Sequence, residues 1–183
     1  MTLGPNCLRY HLNTGGSDAS NIKQLSNVTI RNIRIDDIDK ILQLQEVSFA
    51  DMAAYGMVWP ASYLKKHIHN FPDGQLCAEI NGEIVASASS LVVTLKPPYS
   101  DHTWHDITGY GLFTTHDPKG DTLYGADIST HPKFQRKGIG TMLYDVRKNL
   151  AIRMNLRRIV IGGRLLIIIN MQTRYQLLNI QKR

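Results

Sequence analysis

The residues with most chemistry in this 183-residue chain are Gln135, Arg136, Lys137, Gly138, Ile139, Gly140 and Thr141. Glycines at 138 and 140 let the backbone turn tightly and let a ligand approach it closely. An amphipathic run follows at once, with Ile139, Met142, Leu143, Val146, Leu150 and Met154 at helical spacing. The N–H groups at such a helix start point outward with the positive end of the dipole, which makes an anion site suited to phosphate. Lys133, Arg136 and Lys137 add cationic side chains beside it. His102, His105 and His116 match no metal-ligand spacing, so no metal is expected.

The elements that must position this loop are legible around it. Residues 1–27 are rich in Asn, Ser, Gly and Thr and read as a loose leader. From Val28, VTIRNIRI alternates as a half-buried strand does. Asp36 and Asp37 offer N-caps for a helix through IDKILQLQEVSFA. After Trp59-Pro60, ASYLKKHIHNF reads as a second helix, with Lys65, Lys66, His67 and His69 on a solvated face. Two β-type runs flank Asn81-Gly82, the strongest short hairpin signal. Residues 95–121 read as a long loop of the kind that binds substrate. TLYGADIST is a further strand, the helix spans about 139–155, and RRIVIGGR is another strand. The order β–α–α–β–β–β–α–β predicts one mixed α/β domain over 28–164, with an atypical tail at 165–183.

Charge narrows the function class. The net charge is +6, but residues 165–183 hold +3, residues 1–27 hold +1 and the middle only +2. A nucleic-acid protein usually carries a basic stripe on one folded face, so this distribution argues against that partner. No apolar run approaches the ~20 residues of a membrane helix, and the N-terminus lacks the pattern of a secretory signal. Cys7 and Cys77 read as free thiols in a reducing compartment, which places the protein in the cytoplasm.

Three phosphate loops compete for Gln135–Gly140. A Walker A loop needs Lys-Ser/Thr after its last glycine, where Thr141-Met142 stands. A dinucleotide fingerprint needs a third glycine where Leu143 stands. The Gln/Arg-x-x-Gly-x-Gly/Ala loop fits at Gln135, Gly138 and Gly140, with a hairpin, a strand ending at Thr130-His131-Pro132, a long helix and a strand in order. On these residues the chain resembles the GCN5-related N-acetyltransferase (GNAT) superfamily over about 28–164. THDPKGDTLYGADISTHP, LYDVRKNL and NLRRIVIGGR are similar to the N-terminal acetyltransferase-like domain of two-domain proteins that carry a carbon–nitrogen hydrolase behind it.

The resemblance implies acetyl-CoA as cosubstrate and a small-molecule or peptide amine as acceptor. It implies that backbone groups of Ile128, Ser129 and Thr130 pair with the pantetheine arm. It implies that amides from Gln135 through Arg136, Lys137, Gly138, Ile139 and Gly140 to Thr141 hold the pyrophosphate. The amine attacks the thioester directly while a base takes its proton. Asp127 lies where related enzymes carry an acid and is the candidate base; Glu79 is a weaker one. His131 shapes the turn before Pro132. Trp104, Tyr110 and Phe113 either line an acceptor pocket or anchor their segment on the sheet.

Members of the superfamily continue after the fifth strand with a helix and two strands. Residues 165–183 are too short for all three, so the sequence predicts a GNAT-like sheet whose C-terminal helix and last two strands are missing. One permitted back-translation of 166–183, shifted by a single inserted nucleotide, reads LNYYQYADKISAIEYSKE, which predicts a truncated or frameshifted product. The sheet edge left open then favours a homo-oligomer. The functional expectation is acyl-CoA-dependent N-acyl transfer, or an inactive form of it in a truncated chain. The alternatives are a non-catalytic CoA-binding or regulatory module normally fused to a hydrolase, and, third, a basic nucleic-acid-binding protein.

Overall fold

The computed structural model describes residues 8–10, 28–56, 58–96 and 102–162. The tail and the expected open edge beyond it depend on residues 163–183, which lie outside the described residues. Six strands form one sheet in chain order: β1 (Leu8–Tyr10), β2 (Val28–Asn32), β3 (Gln75–Ile80), β4 (Glu83–Val93), β5 (Thr122–Thr130) and β6 (Arg158–Ile161). Neighbours are antiparallel from β1 to β5, and β5–β6 is parallel. The helices are α1 (Ile38–Ser48), α2 (Ala50–Ala53), α3 (Ala61–Asn70), α4 (Trp104–Thr108) and α5 (Ile139–Arg153). The mixed sheet flanked by helices is the fold class the sequence predicts.

Alternation along the strands divides the core between two faces. Val28, Ile30, Leu76, Ala78 and Ala88 pack with Ile139, Met142, Leu143 and Val146 of α5. On the opposite face Ile33, Ile38, Ile41, Leu64 and Cys77 join α1 and α3 to the sheet. Beside them Leu91, Val93, Phe113, Tyr124 and Ala126 bury the segment around α4. The β3–β4 turn has φ +51° at Asn81 and +83° at Gly82, the signs a two-residue hairpin with right-handed twist demands.

Four local expectations differ from what is observed. Within the leader, Leu8–Tyr10 pairs with Val28–Ile30 as an added strand. Asp37 does not cap α1 through its side chain; its carboxylate accepts from Arg34 N–H at 2.8 Å and from Arg31 at 2.6 and 2.9 Å. The segment 95–121 is not simply a loop, because α4 forms in it and Phe113 is buried beneath it. His67 is not solvated. It is 1 % exposed, and its Nε2 donates to the Gly111 carbonyl at 2.6 Å. It also stacks on Phe113 at 3.7 Å between centroids. Burial pushes its imidazole down to about 4 against the pull of that hydrogen bond, so the ring that joins α3 to the α4 segment is neutral.

Candidate functional site

The site begins where β5 changes partners. β5 pairs with β6 from Thr122 to Gly125, and Gly162 N–H adds a bond to Gly125 O at 3.0 Å. From Ala126 to Thr130, β5 pairs with β4 alone among the described residues. At the same point the β4–β5 register shifts: Ser90 faces Gly125 and Ser89 faces Asp127, so Ala126 is an extra residue on β5. Such a bulge bends the strand and re-aims the side chains that follow. The result is a half-paired strand edge that carries Ile128, Ser129 and Thr130 toward the glycine-rich loop.

That loop is built by local rules. Thr130 leads into His131, whose Nδ1 accepts from Lys133 N–H at 3.2 Å and holds the 3-10 turn Pro132–Phe134. The Gln135 amide donates back to Thr130 O at 3.2 Å, tying the loop to the end of β5. Arg136 at φ +59° and Gly138 at +81° are both left-handed and curl the chain around Lys137. Gly138 is the N-cap of α5, and no side chain caps that end. A Cβ built on Gly140 would meet nothing within 4 Å. Neither backbone strain nor a protein neighbour demands glycine there, and the space above the first turn is open. The N–H groups of that turn lack intrahelical acceptors by the geometry of any helix start, so the residues from Gln135 to Thr141 fit a phosphate-bearing ligand.

Asp127 is half-buried next to the bulge. Burial pushes its carboxyl up to about 6, against the pull of the Arg147 guanidinium and of the Ile128 N–H. A group with that value takes and gives protons near neutrality. Glu79 lies elsewhere, on β3, and is bound at 2.8 Å by Arg31, which also holds Asp37. That ion triad is structural: burial opposes ionisation of Asp37, yet Arg31 and the Arg34 N–H hold its carboxyl below the usual range. Phe113 anchors its segment in the core, Trp104 is half-buried, and Tyr110 is 70 % exposed. Among the described residues no group of three His, Cys, Asp or Glu side chains is placed to hold a metal. No helix among them is long and apolar enough to cross a membrane.

Sequence reasoning missed one side chain of the site, Arg147, and left the role of another, Trp104, open between pocket and anchor. Arg147 stands in the apolar stripe of α5, four residues after Leu143 and three before Leu150, and that position was the signal available for its burial. Trp104 sends its Nε1–H to the Ala126 carbonyl at 2.9 Å. The bulge that both of them touch had one sequence signal, the isolated Gly125 inside the strand pattern TLYGADIST.

A mixed sheet whose bulged strand leads into an open glycine-rich helix start fits a protein that uses a phosphate-bearing cosubstrate. Residues 39–164 match the acetyltransferase (GNAT) family, and the chain belongs to that family. Acyl transfer from acetyl-CoA is the general chemistry that membership carries. Among curated relatives, "Probable hydrolase YhcX" of Bacillus subtilis is 46% identical over 138 residues, 75% of this chain and 26% of that protein. "Uncharacterized N-acetyltransferase YkwB" of the same organism is 38% identical over 143 residues, 78% of this chain and 63% of that protein. The chain thus spans about a quarter of the first relative and under two thirds of the second. Among solved structures, the GphF GNAT-like decarboxylase in complex with isobutyryl-CoA shares the fold with a TM-score of 0.63 at 18% identity, covering 80% of this chain and 70% of that one.

Proposed function

We propose that the protein transfers an acetyl group from acetyl-CoA to the nitrogen of a small-molecule or peptide amine. The observation that carries this reading is the stretch of β5 from Asp127 to Thr130, which among the described residues pairs with β4 alone and runs directly into the open loop Gln135–Thr141. Backbone groups of Ile128, Ser129 and Thr130 bind the pantetheine amides as an added strand would. Amides from Gln135 to Thr141 take the pyrophosphate, with Lys133, Arg136 and Lys137 around it. The thioester then lies by the bulge. Asp127, as carboxylate, takes the proton from the attacking amine as the new C–N bond forms and the C–S bond breaks, and CoA leaves as the thiol after gaining a proton.

The test is release of CoA thiol from acetyl-CoA with a panel of amines, alongside calorimetric binding of acetyl-CoA. Binding with turnover supports transfer. Binding without turnover for any amine supports the second reading, a CoA-binding module that accompanies a hydrolase. The specific observation in its favour is the similarity to one quarter of a protein named as a hydrolase.

A further inference from the structure

The bulge is held from both faces of the sheet. From the α5 side, Arg147 is 1 % exposed, and among the described residues no carboxylate bonds to its guanidinium. Its Nε donates to Ser90 Oγ at 3.0 Å, and its Nη2 donates to the carbonyls of Ser89, at 2.8 Å, and of Asp127. Room for it exists because residue 125 is glycine: a Cβ there would lie 3.2 Å from Nη1 and 3.3 Å from Cζ. From the other side, the Trp104 indole holds the Ala126 carbonyl and packs against the cluster that contains Ala126 and Tyr124. A desolvated, unpaired guanidinium is an expensive thing to keep in a core. A hydrophobic residue at 147 would fill the same helix position at less cost, so the charge and its fork of donors need a reason.

We propose that Arg147 and Trp104 are positioning residues, a two-sided clamp that fixes the bulge at Ala126, with the Arg147 charge setting how readily the Asp127 carboxyl ionises. The inference rests on Asp127 acting as the base of the proposed transfer. Arg147 is the charged group that acts on this carboxyl, drawing it down while burial pushes it up. The other ionisable groups on elements over that part of the sheet are differently placed. Asp39, Lys40 and Glu46 of α1 and His105 and Asp106 of α4 are exposed, and His67 of α3 is neutral. Burial raises the Tyr124 phenol, which keeps it uncharged. On α5, Asp145 pairs with Lys148 at 3.2 Å, and the Tyr144 ring lies 5.5 Å from the Arg147 guanidinium.

The two halves of the clamp separate experimentally. Carbon-13 labelling of aspartate in the full chain allows the Asp127 carboxyl to be titrated by NMR, beside the pH dependence of turnover. In Arg147→Gln the midpoint should rise by roughly one pH unit, because the positive charge that draws the carboxyl down has been removed. A site that merely loosened would admit water and move the midpoint the other way, toward the ordinary carboxylate value. In Trp104→Phe the midpoint should stay, while kcat falls about tenfold at nearly constant acceptor KM, as expected when reacting groups are misaligned. If Arg147→Gln does not fold, Arg147→Met decides: it keeps an unbranched side chain on the helix, removes the charge and should raise the midpoint in the same direction. An unmoved or lowered midpoint in the folded variant overturns the electrostatic role. Unchanged kcat in Trp104→Phe overturns the clamp on that face. If the unaltered protein turns over no amine, the transfer reading fails, but the NMR titration still decides the role of Arg147.

Discussion

Ser89 and Asp127 face each other across the β4–β5 pair, and one step along that ladder Ser90 faces Gly125 instead. The extra residue, Ala126, follows directly on Gly125, the last residue of β5 that pairs with β6 among the described residues. Among the described residues, Ala126 therefore lies outside regular pairing on both edges. In a central strand that is costly unless the freed groups have partners. Trp104 and Arg147 supply some of them, and in the proposed transfer a bound acyl-CoA chain would pair with the rest.

Gly140→Val should leave the fold intact, because its Cβ meets open space. The branched side chain occupies the place where phosphate oxygens approach the helix start. Acetyl-CoA affinity should fall at least about tenfold, or about 1.4 kcal/mol. Calorimetry on the folded variant checks this, and unchanged affinity removes the loop from the binding site.

Asp127→Asn should abolish most turnover and leave acetyl-CoA affinity in place. In the unaltered protein, turnover should rise with pH through about 6 as the carboxyl ionises. The stability effect has the opposite sign. A carboxyl whose folded value is raised favours the folded state less as pH climbs from its unfolded value through about 6. At pH 8 the Asn variant should therefore be more stable than the parent, by about 1–3 kcal/mol, and urea melts would show it. Equal stability at pH 8 would mean that the carboxyl is not desolvated.

His67 gives the reverse slope. Its folded value near 4 lies below the unfolded one. The unfolded chain thus binds the extra proton between about pH 6.5 and 4, and stability falls as pH drops through that window. His67→Phe removes the bond to Gly111 and also removes that slope. Chemical melts at pH 7 and pH 5 should show a smaller loss in the variant than in the parent. An equal loss in both would place the acid sensitivity elsewhere.

The loop was legible because its determinants are local: glycines at a helix start and a lysine- and arginine-bearing turn before them. The hairpin was legible for the same reason at Asn81-Gly82. What escaped reading depends on residues far apart in the chain. His67 stands beside Lys65, Lys66 and His69 and looks solvated, yet it falls three residues after Leu64 on the buried stripe, and its acceptor is Gly111. Arg147 meets Ser89 and Ser90 nearly sixty residues earlier. One signal was readable and passed over. Thr103 and Asp106 form a reciprocal cap, the hydroxyl accepting from Asp106 N–H at 3.1 Å and donating to its carboxylate at 2.6 Å, and this pair starts α4 inside the supposed loop.

Glu79→Gln should keep turnover, since the Arg31 triad lies apart from the bulge. Arg31→Met should be far worse for the fold. It leaves the largely buried Asp37 carboxylate without its guanidinium, a loss of about 3–5 kcal/mol. Thermal melts of the two variants, with turnover of the first, check both statements. A large loss of turnover in a folded Glu79→Gln protein would return Glu79 to the list of bases.

The central claim is that β5 beyond Gly125 and the loop before α5 form one continuous acyl-CoA site. Titrating the full chain with acetyl-CoA while following backbone amide shifts by NMR tests this most directly. The account predicts saturable shifts centred on Ala126–Thr130 and Gln135–Thr141. No saturable shifts, or shifts centred away from those two segments, would contradict it.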